Sequence, residues 1–171
     1  MKSGINNERL FWKKMESPIG NIFIGWTKKG LLCVNFIQAR SLKQILFDLI
    51  REEFKPFTIT EGREVDQLAE YFTGIRKEFS CKLDMRGSPF QIKVWNEHLK
   101  IPYGTTRSYG EVAKAIGTPK ASRAIGSANH ANRISIFIPC HRVIGSNGRL
   151  VGYGGGLDRK RWLLNHEAKN I

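Results

Sequence analysis

Cys140, His141 and Arg142 place a nucleophile, a base and a cation in consecutive positions directly after Pro139. A thiol attacks only as thiolate, and with a free pKa of about 8.5 little of it is ionised near neutrality. A neighbouring base or cation is needed, and His141 and Arg142 are of the right types. Adjacency alone does not bring thiol and imidazole together, because successive residues of a strand point to opposite faces. The chemistry such a site supports is nucleophilic: hydrolysis through a covalent intermediate, or group transfer onto sulfur. Cys33 and Cys81 lie among apolar or strand-like neighbours and read as small buried hydrophobes.

The element that presents Cys140 is the apolar run Ile134-Ser135-Ile136-Phe137-Ile138. It reads as a short buried strand that Pro139 stops, since proline has no N–H and a fixed φ. Upstream, Ser88-Pro89-Phe90-Gln91 joins a capping box to proline at the first helical position. This predicts a helix to about Leu99, burying Phe90, Val94 and Trp95 and ended by Pro102-Tyr103-Gly104. Ser108-Tyr109-Gly110-Glu111 is a further box, opening a helix through Val112, Ala113 and Ile116 with Gly117 at its C′ position. Thr118 caps the next helix and Pro119 begins it. There Ala121, Ala124, Ile125 and Ala128 form an inward stripe, while Lys120, Arg123, Gly126 and Ser127 face outward. Two short helices joined by a three-residue turn are a helix-turn-helix, and so small and cationic a face lets a helix approach a DNA groove closely. The same geometry also packs in cores without DNA.

Residues 145 to 156 hold six glycines in twelve positions. They lack the GxxxxGK[ST] pattern, and no GxGxxG opens a helix, so they are not a nucleotide-triphosphate loop. Beside a nucleophile, such a loop lets backbone approach a flat ligand. Asp158 to His166 makes a final helix and brings Glu167 back.

The first half alternates from Phe11 to about Ile37 with turns at Pro18-Ile19-Gly20-Asn21 and Lys28-Lys29-Gly30, an antiparallel meander. Ser41 and Gln44 cap a helix from about 42 to 54, and Val65, Leu68, Ala69 and Phe72 mark another, closed by Gly74. Glu78 to Leu83 returns as a strand. No polar cluster converges in this half, which reads as scaffold.

At 171 residues and 41% hydrophobic the chain suits one domain or two small ones. It has no apolar run long enough to span a bilayer and no signal-like start, so a soluble, cytoplasmic protein is expected. Three widely spaced cysteines make neither a disulfide framework nor a CxxC metal site. The net charge is +13; residues 1 to 84 hold 14 Lys and Arg against 11 Asp and Glu, and residues 85 to 171 hold 14 against 4. The excess lies in the half that carries Cys140, and basic surface attracts phosphate backbones.

The string Ile138-Pro139-Cys140-His141-Arg142-Val143-Ile144-Gly145, followed by Gly148, Gly152-Tyr153, Gly155-Gly156-Leu157, Lys160, Trp162-Leu163-Leu164 and Glu167, resembles the O6-alkylguanine-DNA alkyltransferase (methylated-DNA-protein-cysteine methyltransferase) family. The match runs in register from about Gly87 to Glu167. The resemblance implies an α/β protein. A small N-terminal α/β, ribonuclease-H-like scaffold domain would span 1–84, followed by a mainly helical DNA-binding and catalytic domain with a helix-turn-helix over 85–171. It implies irreversible, stoichiometric transfer of an alkyl group from O6-alkylguanine in DNA to Cys140, after the nucleotide is flipped out. O4-alkylthymine stays open as a second substrate.

By motif match, Glu167 orients His141, which draws the Cys140 proton through a water, and Asn132 organises the neighbouring backbone. Tyr153 donates near O6, and Val143 with the Gly152–Gly156 loop, Gly154 and Gly155 included, holds the base. Tyr109 promotes rotation of the nucleotide and Arg123 fills the gap in the stack; Lys120, Ser122, Gly126, Ser127 and Arg142 complete the DNA contacts. His98, His130 and His166 are surface or half-buried bystanders. The implied partner is double-stranded DNA carrying O6-alkylguanine, bound by a monomer, with no membrane and no metal or organic cofactor. Arg133 stands where the family usually has proline, and Gly154 where some relatives carry serine. Two other classes fit parts of this pattern: a non-enzymatic DNA-binding module, against which Cys140 argues, and a Cys-His hydrolase, which leaves the basic half unexplained.

Overall fold

The alternating first segment folds into strands β1 (Arg9–Met15), β2 (Ile22–Thr27) and β3 (Gly30–Phe36), paired as an antiparallel meander. They belong to a computed structural model that describes residues 8–37, 41–51, 55–58 and 63–171. Every residue of β2 is buried, so the sheet is covered on both faces. On one, Leu10, Phe23, Leu32 and Cys33 pack with Ile45 and Leu49 of α1 (Leu42–Arg51). On the other, Ile22, Ile24, Trp26, Leu31 and Val34 meet the carboxy-terminal half, in a core that runs on through Val94, Ile125, Ile138 and Leu163. The split of Phe23 from Ile22 and Ile24 is the period of two that a pleated strand imposes.

β4 (Lys55–Thr58) adds to the edge of this sheet, parallel to β1, giving the order β3-β2-β1-β4. Pro56 hides this strand from a pattern reading, and an edge is where a missing N–H is tolerated. α2 (Arg63–Phe72) ends at Gly74, whose φ of 79° suits a residue without Cβ. The helix expected over 42–54 is seen to Arg51, and the rest of that expectation lies outside the described residues. Glu78 to Leu83 makes no strand: a single bridge joins Leu83 to Leu31.

The carboxy-terminal half is mainly helical: α3 (Pro89–His98), α4 (Tyr109–Ala115), α5 (Ser122–His130) and α6 (Leu157–Lys169). A short parallel pair, β5 (Arg107–Ser108) with β6 (Val143–Ile144), ties the start of α4 to the segment after Cys140. The capping boxes at Ser88 and Ser108 are both closed in both directions. Among the described residues no helix is long and apolar enough to cross a membrane.

Four expectations about the carboxy-terminal half fail. The run Ile134 to Ile138 is a tight turn rather than a strand. Ile138 N–H donates to Ile134 O at 3.0 Å, Ile136 takes a φ of 74°, and only isolated bridges remain, one of them from Ile134 to Val34. Its isoleucines and Phe137 are apolar because all are buried, and a short apolar run carries no period to tell strand from buried turn. α5 starts at Ser122, not at Pro119. A Schellman closure ends α4, with Thr118 N–H on Ala113 O and Gly117 N–H on Lys114 O, both at 2.9 Å, and Thr118 O then accepts Ala121 N–H at 2.9 Å in a separate turn. The connection is therefore 116–121, longer than three residues, and Ala124 faces solvent rather than the core.

The Ser108 box carries the entry to α4, so Ser108→Ala lowers stability by about 1 kcal/mol. Urea unfolding checks this; an unchanged midpoint removes the cap from the account.

Candidate active site

Cys140 opens a single turn of 3-10 helix, Cys140–Arg142, and is 5% exposed. Pro139 before it and the bond that Cys140 N–H donates to Ile138 O, 2.8 Å, fix the turn that carries it. Asn132, in the loop after α5, spans the gap: its Nδ2 donates to Cys140 Sγ at 3.2 Å and to Ile138 O at 3.0 Å, while its Oδ1 accepts Ile134 N–H at 2.9 Å. The amide thus holds both the sulfur and the turn that delivers it.

His141 is fully buried, with Nε2 donating to Glu167 Oε1 at 2.7 Å. Burial lowers its pKa below the ordinary histidine value, against the pull of the Glu167 carboxylate, so the ring is neutral. Nε2 then carries the proton and Nδ1 is the unprotonated nitrogen, able to accept one; it is buried and has no hydrogen-bond partner among the described residues. Glu167 itself accepts from Tyr71 Oη at 2.8 Å, Gly104 N at 3.0 Å, and Arg142 Nε and Nη2 at 2.9 and 3.0 Å. Burial pushes the carboxyl up, but His141 and Arg142 overcome it and hold it well below the usual carboxylate range.

Burial also pushes the Cys140 thiol up, partly offset by the Asn132 amide and by the charge of Lys160. The resting group is the thiol, so a base must take its proton as it reacts. The cation that faces it is not Arg142. That guanidinium is 6% exposed and spent on Glu167 and on Ile101 O, 2.6 Å away, which removes it from any phosphate. Arg142, expected on DNA, is a buried clamp because the 3-10 turn directs it inward. Lys160 stands in its place. It is fully buried on α6, donates to Val143 O at 2.6 Å, Val151 O at 2.8 Å and Gly152 O at 3.2 Å, and burial lowers its pKa to about 8.

Cys140 lines a cavity of about 330 Å³ together with Tyr109, Gly126, Asn129, His130, Gly152, Tyr153 and Gly154. That is the low end of the range for small-molecule pockets. Tyr109, one of its lining residues, donates to Val151 O at 3.2 Å. Tyr153 Oη is enclosed, and burial followed by the charge on Cys140 raises its pKa well above the usual tyrosine value, which keeps it a donor. Gly155 does not line this cavity. A Cβ there would lie 2.6 Å from the Phe36 ring, so its lack of a side chain serves contact with the sheet. Val143 is buried below, with its carbonyl on Lys160. Lys120, Ser122, Arg123 and Ser127 are exposed on or beside α5, and Gly126 turns toward the Tyr109 ring.

Asn132, Cys140, His141 and Glu167 are thus brought together, and Tyr109, Tyr153 and Gly154 share their cavity. Tyr71, Gly104, Asn129 and Lys160 were not foreseen in these places. Lys160 and Glu167 lie at i−3 and i+4 from the core residue Leu163, so polar side chains on a buried helix face were a readable signal. His98, expected at the surface or half-buried, is fully buried.

Two models of one family match the chain: the ribonuclease-like domain of 6-O-methylguanine DNA methyltransferase over residues 10–85, and its DNA-binding domain over residues 89–169. A methylated-DNA–protein-cysteine methyltransferase of Methanosarcina acetivorans is 46% identical over 93% of this chain and 99% of its own. One from Mycobacterium tuberculosis is 46% identical over 92% of each chain. The crystal structure of Mycobacterium tuberculosis O6-methylguanine methyltransferase superposes with a TM-score of 0.82 at 42% identity, covering 95% of this chain and 94% of that one. Mycobacterium tuberculosis OGT in complex with DNA superposes with the same score, identity and coverage.

Two measurements follow. Lys160→Met strips three carbonyls of their donor and lowers stability by about 1–3 kcal/mol, read as a shift in urea midpoint. His141 is buried neutral and Glu167 buried ionised, so each takes up a proton more readily unfolded than folded. Stability therefore falls as pH drops below about 6.5 through the histidine and further below about 4.3 through the carboxylate. His141→Gln makes the upper limb shallower, the remainder belonging to His98, which burial also holds below the ordinary histidine value; a wild-type curve flat from pH 7.5 to 5 overturns the assignment.

Proposed function

Because the chain belongs to the 6-O-methylguanine DNA methyltransferase family, we propose that it repairs DNA by moving the alkyl group of O6-alkylguanine irreversibly onto Cys140, one group per chain. The observation that carries this reading is a shielded thiol lining a cavity that α5 also lines, with a neutral imidazole at the next residue and exposed cations on and beside that helix. The Sγ–C bond forms as the O6–C bond breaks. The thiol proton leaves toward His141 Nδ1, and guanine, departing as an anion, regains a proton under the donor Tyr153 Oη, so proton count is unchanged overall. Glu167 holds the imidazole and stabilises it once it is charged.

O6 is inaccessible in stacked duplex, so the nucleotide must swing out at a cost of a few kcal/mol. DNA as partner is supported by the structure of a relative bound to DNA. In this reading α5 lies in a groove, Arg123 fills the vacated space and Tyr109 drives rotation, with Lys120, Ser122 and Ser127 on phosphates. Residues 1–84 then act as a scaffold and 85–171 as the DNA-binding and catalytic part, a division supported by the two matched ranges. A thioether has no resolving group in this site, which makes transfer a single event in a monomer.

Intact mass after incubation with duplex containing O6-methylguanine tests the reading: each chain gains one methylene unit, confined to the Cys140 peptide. Cys140→Ser gains none yet still binds DNA. A wild-type protein that binds but gains no mass sinks the proposal. Arg123→Ala slows transfer from duplex by roughly 10–100-fold while transfer from the free base changes little. Equal loss on both substrates removes Arg123 from base extrusion.

A further inference from the structure

α3 carries an imidazole where packing alone favours a hydrocarbon. His98 is fully buried beside Val94 and Trp95, with Nδ1 lacking any hydrogen-bond partner among the described residues. A buried polar atom without a partner costs about 1–3 kcal/mol, so leucine at this position is the more stable choice. The other nitrogen makes one contact: His98 Nε2 meets Asn129 Oδ1 of α5 at short range. An amide oxygen only accepts, so Nε2 carries the proton and the orientation of the amide follows from it.

Asn129 is one of the residues lining the cavity above Cys140. With Oδ1 taken by His98, its Nδ2 is the end left over, enclosed and without an acceptor among the described residues. The same amide acts on Tyr109, drawing its hydroxyl down against the upward pull of burial. Because an NH2 has two N–H bonds and only one can lean on the Tyr109 oxygen, the cavity lining holds an oriented donor with one N–H left over, beside the tyrosine that meets the incoming nucleotide.

We propose that His98 is a positioning residue: by donating from Nε2 to Asn129 Oδ1 it turns the Asn129 NH2 into the cavity, where it donates to an acceptor atom of the extruded nucleotide. This rests on the alkyl-transfer reading and adds Asn129 as a nucleotide-binding residue and His98 as its support. The acceptor lies either on the base edge or on the sugar-phosphate.

The test compares wild type, His98→Leu and His98→Gln, the last able to donate through its amide. Single-turnover transfer is measured at saturating duplex carrying O6-methylguanine and with O6-benzylguanine as free base, and Cys140 alkylation by iodoacetamide reports the thiol and fold independently. His98→Leu lowers the saturating rate on duplex by about tenfold with the iodoacetamide rate within about twofold of wild type, and His98→Gln recovers to within about threefold. Loss on both substrates places the acceptor on the base; loss on duplex alone places it on the sugar-phosphate. The proposal is overturned if His98→Leu matches wild type, if glutamine does no better than leucine, or if the iodoacetamide rate falls in parallel. Wild-type protein that transfers nothing defeats the alkyl-transfer reading instead, which separates the two failures.

Discussion

A carboxylate buried away from water is tolerable only when its charge is answered, and the arrangement around Cys140 depends on how Glu167 is answered. Its two oxygens take donors from four residues in three segments: Tyr71 of α2, Gly104 before β5, and His141 with Arg142 in the 3-10 turn. Removing one partner from such a buried ion pair costs on the order of 3–5 kcal/mol, because the remaining charge is stranded. The imidazole beside Cys140 therefore has one tautomer and one orientation, set by groups far apart in the chain. Arg142 matters as a counter-ion, which is why a cation adjacent to the nucleophile contributes nothing to the surface.

Lys160 does for the glycine-rich loop what Glu167 does for the imidazole. Three carbonyls from both sides of residues 144–150 converge on one ammonium, so a segment rich in glycine has a defined course past the sulfur. The amino-terminal sheet supports the same loop: Phe36 packs where Gly155 has no side chain, and Arg159 lies over the Phe36 ring, 4.9 Å from its centroid, while bonding Ile19 O and Gly155 O. Val34 N–H on Arg133 O, 2.7 Å, fixes the other flank, next to Asn132. Arg133, where family members usually carry proline, thus sits in a segment held by β3 rather than by a ring. The half that reads as scaffold reaches the site at both edges, and through Tyr71 it reaches the carboxylate itself.

A shielded thiol reconciles two demands on a single-use nucleophile. Burial disfavours the Cys140 thiolate and so slows its reaction with incidental electrophiles, while burial also leaves His141 Nδ1 unprotonated. Asn132 makes the compromise specific, since one amide fixes the sulfur and the turn carrying it.

Local chemistry was legible in the sequence wherever a few neighbouring residues decide the outcome. The boxes at Ser88 and Ser108, the glycine after α4, the alternating meander and the run from Ile138 to Gly145 each carry their signal within a short window, because capping, pleating and positive φ are local interactions. Burial is not local. Whether Ile134 to Ile138 extends or turns, where α5 begins, that Arg142 points inward, that His98 meets Asn129 and that Tyr71 meets Glu167 across 96 positions depend on which faces pack together. Composition and spacing determined that a thiol, a base and a basic helix lie in one half of this chain. Only the packed core decided which charges are paired inside and which are left for a ligand, because desolvation acts on a side chain after its neighbours in space have been chosen.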